Sequence, residues 1–356
     1  MAALSAAVLA NVANAAFDFY EKKKLYAQHI QQKPLLRELK SRQKTFPGGK
    51  GEIVVNPVFE TQSTLQGFEG DDTLTFVNPV TISEARYPWK MQHLGISMTT
   101  EELLKDGISI TDTNGAGTTN HSQRDLTVIQ NILEAKLTDM GEGFAEGMNS
   151  MLWLDGTAST KNVPGIQYFL AKNPSVGVVG GIDRATVPLW RNVAFTAAHA
   201  TATSVAADGV ITPATATSNL IRSLQKAVRT LRRYGTPDLL ILCGSAFMDA
   251  IEDEAYAKGT LTQTGFKDDT ELGIGKVSVR GLGTFMYDPT LDDLGESKFA
   301  YFIDTKAIQL RPIEGEDMKK HNPARPHDKM VIYKSMTWAG GMSMKQANTS
   351  MVVEIA

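Results

Sequence analysis

The side chains able to do chemistry are few in this chain, and their spacing is poor for it. His321 and His327 bracket Asn322-Pro323-Ala324-Arg325-Pro326. Zinc takes Cys, His or carboxylate ligands that converge on one point. Two histidines across two prolines share no helical face, and no cysteine or acid cluster accompanies them, so the segment reads as a surface loop. His29, His93, His121 and His199 are scattered. Gly273-Ile274-Gly275-Lys276-Val277 imitates a phosphate loop. It lacks the earlier glycine, has Val where Ser or Thr must hold magnesium, and leads into a strand. The acidic pairs Asp71-Asp72, Asp268-Asp269 and Asp292-Asp293 read as hydrated turns, because a calcium loop needs more oxygen ligands at fixed spacing. Cys243 is the single cysteine and ends the apolar run Leu239-Leu240-Ile241-Leu242. It excludes an internal disulfide and reads as a small buried hydrophobe in a chain that folds in a reducing cytoplasm. HExxH, CxxC and GxSxG are absent, as is a GxGxxG that opens a helix. Asn120-His121-Ser122 and Asn348-Thr349-Ser350 match a glycosylation sequon, but nothing suggests secretion. The reading assigns no catalytic, cofactor-binding or metal-binding residue, and no enzyme.

The most singular segment is Gly180-Gly181-Ile182-Asp183-Arg184-Ala185-Thr186-Val187-Pro188-Leu189-Trp190-Arg191-Asn192. Arg pairs bidentately with acids and stacks on aromatic rings. Trp and Arg are also the side chains favoured as anchors between proteins. Asp183, Arg184, Trp190 and Arg191 therefore read as a structural or interface corner, ahead of a ligand loop.

The elements that carry these residues are unusual. From Ser122 to Trp153 the apolar residues Leu126, Ile129, Leu133, Leu137, Met140, Phe144, Met148 and Met151 recur in steps of three and four. This is one stripe on one long helix. Gly141, Gly143 and Gly147 weaken that helix, and mark a bend or a close backbone approach. Before it, residues 47–100 have strand character but little to build a core from. Glu52 to Phe59 and Thr73 to Trp89 read as a two-stranded ribbon around the turn Gln66 to Asp72, with Pro57 and Pro79 confining both strands to edges. An isolated ribbon is marginal in water and must lie on something, most naturally a neighbouring subunit. Phe68, Phe76 and Trp89 are its apolar candidates for that contact.

The chain has 356 residues, room for two domains, and 42% of it is hydrophobic. No apolar run approaches the ~18 residues of a membrane span, and no membrane partner is expected. The Ala-rich residues 2–17 precede their positive charges, the wrong order for a signal peptide. The net charge of −3 hides an asymmetry: residues 1–45 carry eight cations and three acids, giving +5, so the remainder carries −8. Lys22, Lys23, Lys24, Lys33, Arg37, Lys40, Arg42 and Lys44 make a basic arm. Such an arm contacts nucleic acid, an acidic scaffold or a neighbour, or is a solvated helix face. Later elements are an amphipathic helix at Thr217 to Tyr234, a buried strand at Asp238 to Cys243 and a Ser-capped helix from Ser245. Further strands are read around 276–280 and 299–310, and at 330–338 and 342–355 on either side of a turn at Ala339-Gly340-Gly341. This order fits an α+β fold better than a doubly wound α/β fold.

The pattern Gly-Ile-Asp-Arg-x-x-x-Pro-x-Trp-Arg-Asn at 181–192 resembles one that recurs in a branch of the major capsid proteins of tailed bacteriophages. The order of elements resembles that family over nearly the whole chain. By this resemblance, 1–46 is an N-terminal arm and 47–100 an extended hairpin loop overlapping a neighbour. Residues 101–194 and 326–356 form a peripheral domain with its spine helix, and 195–325 an axial domain. Tyr234 to Asp238 and Phe299 to Asp304 are similar to that family's central and returning segments. The resemblance implies a self-assembling icosahedral shell of hexamers and pentamers around double-stranded DNA. It implies a scaffolding protein, a portal and a decoration protein as partners, and a virion protein assembled in the bacterial host cytoplasm. Only about 45 residues precede the loop, so the scaffold is expected as a separate protein. Some relatives cross-link subunits through a Lys near the loop tip. Gln66 to Asp72 has none, so no such cross-link is expected. An encapsulin-like nanocompartment, with protein cargo, is the alternative on the same fold. An α+β enzyme with a dispersed site is the alternative outside it.

Overall fold

The computed structural model describes residues 32–49, 51–59, 65–76, 83–99, 123–201, 209–213, 220–257, 276–279, 281–321 and 331–356. Expectations for the first 31 residues, Lys22, Lys23 and Lys24 included, and for 100–122 lie outside them.

Helix α1 (Pro34–Ser41) opens on a proline, which loses no helical hydrogen bond there, and buries Leu35, Leu36 and Leu39. Strands β1 (Glu52–Val55) and β2 (Ala85–Pro88) pair antiparallel, and β3 (Lys90–Thr99) follows. Helix α2 (Gln123–Trp153) runs for 31 residues, within one residue of the long helix expected. In its C-terminal half Met140, Phe144, Met148, Leu152 and Trp153 are buried, with Met151 only partly so. Helix α3 (Ile166–Phe169), strands β4 (Val178–Val179) and β5 (Ile182–Asp183), and a tight turn at Pro188–Trp190 form a corner. Next come β6 (Val193–Thr196), β7 (His199–Ala200), α4 (Leu220–Leu231), β8 (Leu239–Cys243) and α5 (Ser245–Ala257). The remaining elements are β9 (Lys276–Val279), β10 (Gly283–Tyr287), α6 (Pro289–Asp293), β11 (Phe299–Asp304), β12 (Ile308–Pro312), β13 (Lys319–Lys320), β14 (Val331–Met344) and β15 (Met351–Glu354).

Seven strands form a mixed sheet in the order β7-β6-β15-β11-β8-β10-β9. Its central strands are apolar on both sides because both faces are covered. Leu240, Leu242, Tyr301, Ile303 and Val352 face the core under α2. Ile241, Cys243, Ala300, Phe302, Met351 and Val353 face a second core under α4 and α5. This period-two division explains why Leu239 to Cys243 reads as one continuous apolar run. A second sheet joins β12, β13 and β3 to β14.

Two expectations are corrected. Among the described residues the ribbon is paired only at its root, β1 with β2, and all ten residues of β3 pair with Val331–Gly340 of β14. The expected turn at Ala339-Gly340-Gly341 is a continuous part of β14. A Cβ at Gly340 would stand 2.6 Å from the Arg311 carbonyl oxygen, and one at Gly341 2.9 Å from that of Pro88. These glycines serve close packing of three backbones, not reversal of the chain. β15 lies in the seven-stranded sheet, whereas β12 and β13 lie in the sheet of β14.

The spine is pinned by a buried polar seam. The Asn149 amide accepts from the Leu36 N–H at 3.0 Å and donates to Thr290 Oγ1 at 2.8 Å, while Trp153 Nε1 donates to Asp288 at 2.8 Å. Of the spine glycines, Gly141 and Gly147 have nothing within 4 Å of the place a Cβ would occupy, and Gly143 has only a Leu94 methyl at 3.9 Å. Among the described residues no backbone makes the close approach that these glycines would permit.

Candidate assembly surfaces

The outer loop, 65–76, is ordered by its own side chains. The Asp72 carboxylate accepts from the Glu69 N–H at 2.9 Å, and Gly70 takes the positive φ of 54° that closes the turn. The Gln66 amide spans the loop, donating to the Thr73 carbonyl at 3.1 Å and accepting from the Thr75 N–H at 2.9 Å. Its apolar side chains have no cover. Phe68 is 67% exposed and Phe76 89% exposed, with Leu65 and Leu74 exposed beside them. Trp89 differs, since it is half-buried against the subunit's own core.

The corner at 177–192 is turned inward. Trp190 is buried; its Nε1 donates to the Val179 carbonyl at 3.1 Å and its ring meets the Phe59 ring edge-on at 5.3 Å. Arg184 is also buried and donates from Nη2 to the Phe169 carbonyl. Burial pulls its guanidinium down to about 10, against the opposing influence of Tyr168 and Tyr87, so it stays a cation at neutral pH. Asp183 accepts from the Ala185 N–H at 2.9 Å. Arg191 donates to the carbonyls of Arg184 at 2.6 Å and Ala185 at 2.9 Å. Of the two readings of this corner, structural or interface, Arg184 and Trp190 take the structural one within the subunit.

What the corner holds is the root of the loop. The Arg86 N–H donates to the Gly180 carbonyl at 3.0 Å. Tyr87 stacks obliquely on Phe169 at 5.5 Å, and its hydroxyl donates to the Met344 carbonyl at 3.0 Å. Gly180, at φ +62°, leaves room for that ring, since a Cβ there would lie 3.0 Å from it. Ile53, Ala85 and Tyr87 were absent from the candidate residues. Their alternation with exposed neighbours, buried at 53, 85 and 87, is the signal that could have found them.

The described half of the basic arm is stitched to the body. Lys33 pairs with Glu142 at 2.8 Å, Arg42 pairs with Asp238, and Lys40 reaches the Met318 sulfur at 2.8 Å. Lys44 lies along β12, its N–H donating to the Leu310 carbonyl at 3.0 Å, while Arg37 stays exposed beside Glu38. Cys243 is buried with its thiol pushed up to about 12 by that burial. His321 contacts Thr337 Oγ1 at 2.7 Å, and His327 lies outside the described residues. A groove of about 230 Å³ between Phe59, Trp190, Tyr234 and Asn348 is walled by the loop root. Among the described residues no three His, Cys, Asp or Glu gather as a metal site, and no helix is long and apolar enough to cross a membrane.

No protein-family model and no curated protein matches the sequence. Solved structures do. The chain is similar to the cyanophage A-1(L) capsid asymmetric unit, with a TM-score of 0.60 and 15% identity over 93% of this chain and 94% of that one. The chain has the phage capsid fold. It is likewise similar to the capsid of a native GTA particle, at TM-score 0.55 and 13% identity over 97% and 98% of the two chains. Against the capsid of Myoviridae phage XM1 the values are 0.52 and 12%, over 94% and 95%. Coverage is nearly end to end on both sides in each comparison. The loop, the long helix and both sheets of this capsid-fold chain therefore belong to one shared architecture, not to a common fragment.

Proposed function

We propose that the chain is the major capsid protein of a tailed bacteriophage, self-assembling into hexamers and pentamers of an icosahedral head around double-stranded DNA. The observation that carries this is the extended loop: clamped at its root by the buried corner, it presents Phe68 and Phe76 to solvent on a chain with the capsid fold. Each such side chain, fully covered by a neighbour, contributes roughly 1.5–3 kcal/mol. Many weak copies then hold a closed shell together. The work is geometric, and no catalytic role is assigned.

On this reading the axial domain is the seven-stranded sheet with α4 and α5. The peripheral domain is α2 with the sheet of β3, β12, β13 and β14. The basic arm, 22–44, serves a scaffolding protein first and then DNA or a neighbouring subunit. A portal and a decoration protein complete the virion, which forms in the bacterial host cytoplasm.

Electron microscopy of the protein expressed alone and with a candidate scaffold tests the proposal. Closed shells, or rings of five and six, are expected. A monomer or small oligomer under both conditions overturns it. Shells that retain host protein and exclude DNA favour the encapsulin-like compartment.

A further inference from the structure

Two helices on one face of the seven-stranded sheet carry opposite and unmixed charge. Residues 220–234, helix α4 and the turn after it, contain five cations and no acid; α5 contains four acids and no cation. Along α4 and the turn after it the cations Arg222, Lys226, Arg229 and Arg233 follow steps of four, three and four, which is a single stripe opposite the buried Leu220, Leu224, Ala227, Val228 and Leu231. All four are exposed, and none forms an ion pair among the described residues. At ~1.5 Å per residue the stripe is roughly 16 Å long. On α5, Asp249 and Asp253 are exposed one turn apart, with Glu252 half-buried between them. The helices touch one another, and the buried Glu254 of α5 accepts from the Ile221 N–H at the start of α4 at 3.1 Å.

We infer that these are the two halves of one contact between copies of this chain, the basic stripe of α4 meeting the acidic face of α5 on the next subunit. The inference rests on the shell reading and names a surface within it. Opposite patches at different places on one molecule make a head-to-tail contact, and such a contact closes into a ring when the rotation permits. Charge segregation of this kind sets register and orientation more than affinity. Nucleic acid fits less well, because a phosphate backbone drawn to α4 meets the carboxylates of α5 packed beside it.

The test uses the full chain and its assembly. Lys226→Glu with Arg229→Glu makes one reversed chain, and Asp249→Lys with Asp253→Lys the other. Each alone is expected to lower the yield of rings and shells about tenfold or more, because like charges then face each other. The chain carrying all four changes is expected to recover assembly. So is the formation of rings of six by an equimolar mixture of the two reversed chains, which can pair only alternately and therefore cannot close a ring of five. Melting of the unassembled subunits should be unchanged. Normal assembly of either reversed chain overturns the inference, as does loss without recovery in both the combined chain and the mixture. Intact shells that have lost only DNA retention overturn it in favour of a nucleic-acid face. A wild-type chain that forms neither rings nor shells defeats the shell reading itself, and this contact with it.

Discussion

At the scale of single residues, the side chains that look most reactive are the ones the fold uses as anchors. Trp190 fills the space between Phe59 and the Val179 carbonyl and is almost wholly buried. Trp190→Ala removes a large core side chain and leaves a cavity at the loop root, for a loss of about 3–5 kcal/mol. Urea unfolding of the subunit checks this. Cys243 is a second case. Its thiol, ordinarily near 9, is raised to about 12 by burial. Below about pH 9 both the folded and the unfolded thiol are neutral, and its contribution to stability is fully present. As pH rises from about 9 towards about 12 the unfolded thiol ionises first, so that contribution is lost. A thiol reagent at pH 8 is therefore expected to leave the native subunit unlabelled and to label one site after unfolding.

At the scale of elements, close backbone approach decides where this chain differs from its pattern. Gly340 stands where β14 passes β12, with the Arg311 carbonyl oxygen 2.6 Å from any added Cβ. Gly340→Ala forces one strand aside and is expected to lower the melting temperature of the subunit. Gly147→Ala, with nothing within 4 Å, should raise it, through a helix-propensity gain of at most ~1 kcal/mol. Differential scanning calorimetry of both variants separates the two roles that a glycine plays here. The same contrast shows what was readable beforehand. The long helix was readable because one apolar stripe of period 3.6 persists over its length. The buried strand β8 was readable because a sheet covered on both faces leaves no polar alternate positions. The continuous run of β14 through Gly340-Gly341 was not, since a glycine pair signals a turn unless a packed neighbour is known, and that neighbour, β12, is about thirty residues away in sequence. The inward aim of Arg184 and Trp190 was hidden for the same reason. Their partners Phe169, Val179 and Phe59 become neighbours only when the corner closes on the loop root.

At the scale of the whole molecule, folding and assembly are carried by different residues, and this makes them separable by experiment. The buried cores contain neither Phe68 nor Phe76, both of which stand in solvent on the outer loop. Replacing both with Ser therefore costs the isolated subunit little, within about ±0.5 kcal/mol as for other exposed substitutions. In a shell the same change removes two apolar contacts from every subunit, each worth roughly 1.5–3 kcal/mol when fully covered. Because one loop must seat for each copy added, the loss recurs at every step of closure and is multiplied across the particle. The expected result is a double variant whose subunits melt with the wild type yet sediment as free subunits or small oligomers where the wild type sediments as shells. Shells in wild-type yield would mean that the loop lies over its neighbour without holding it. The joints would then have to be sought in the charged faces of α4 and α5 and in the basic arm.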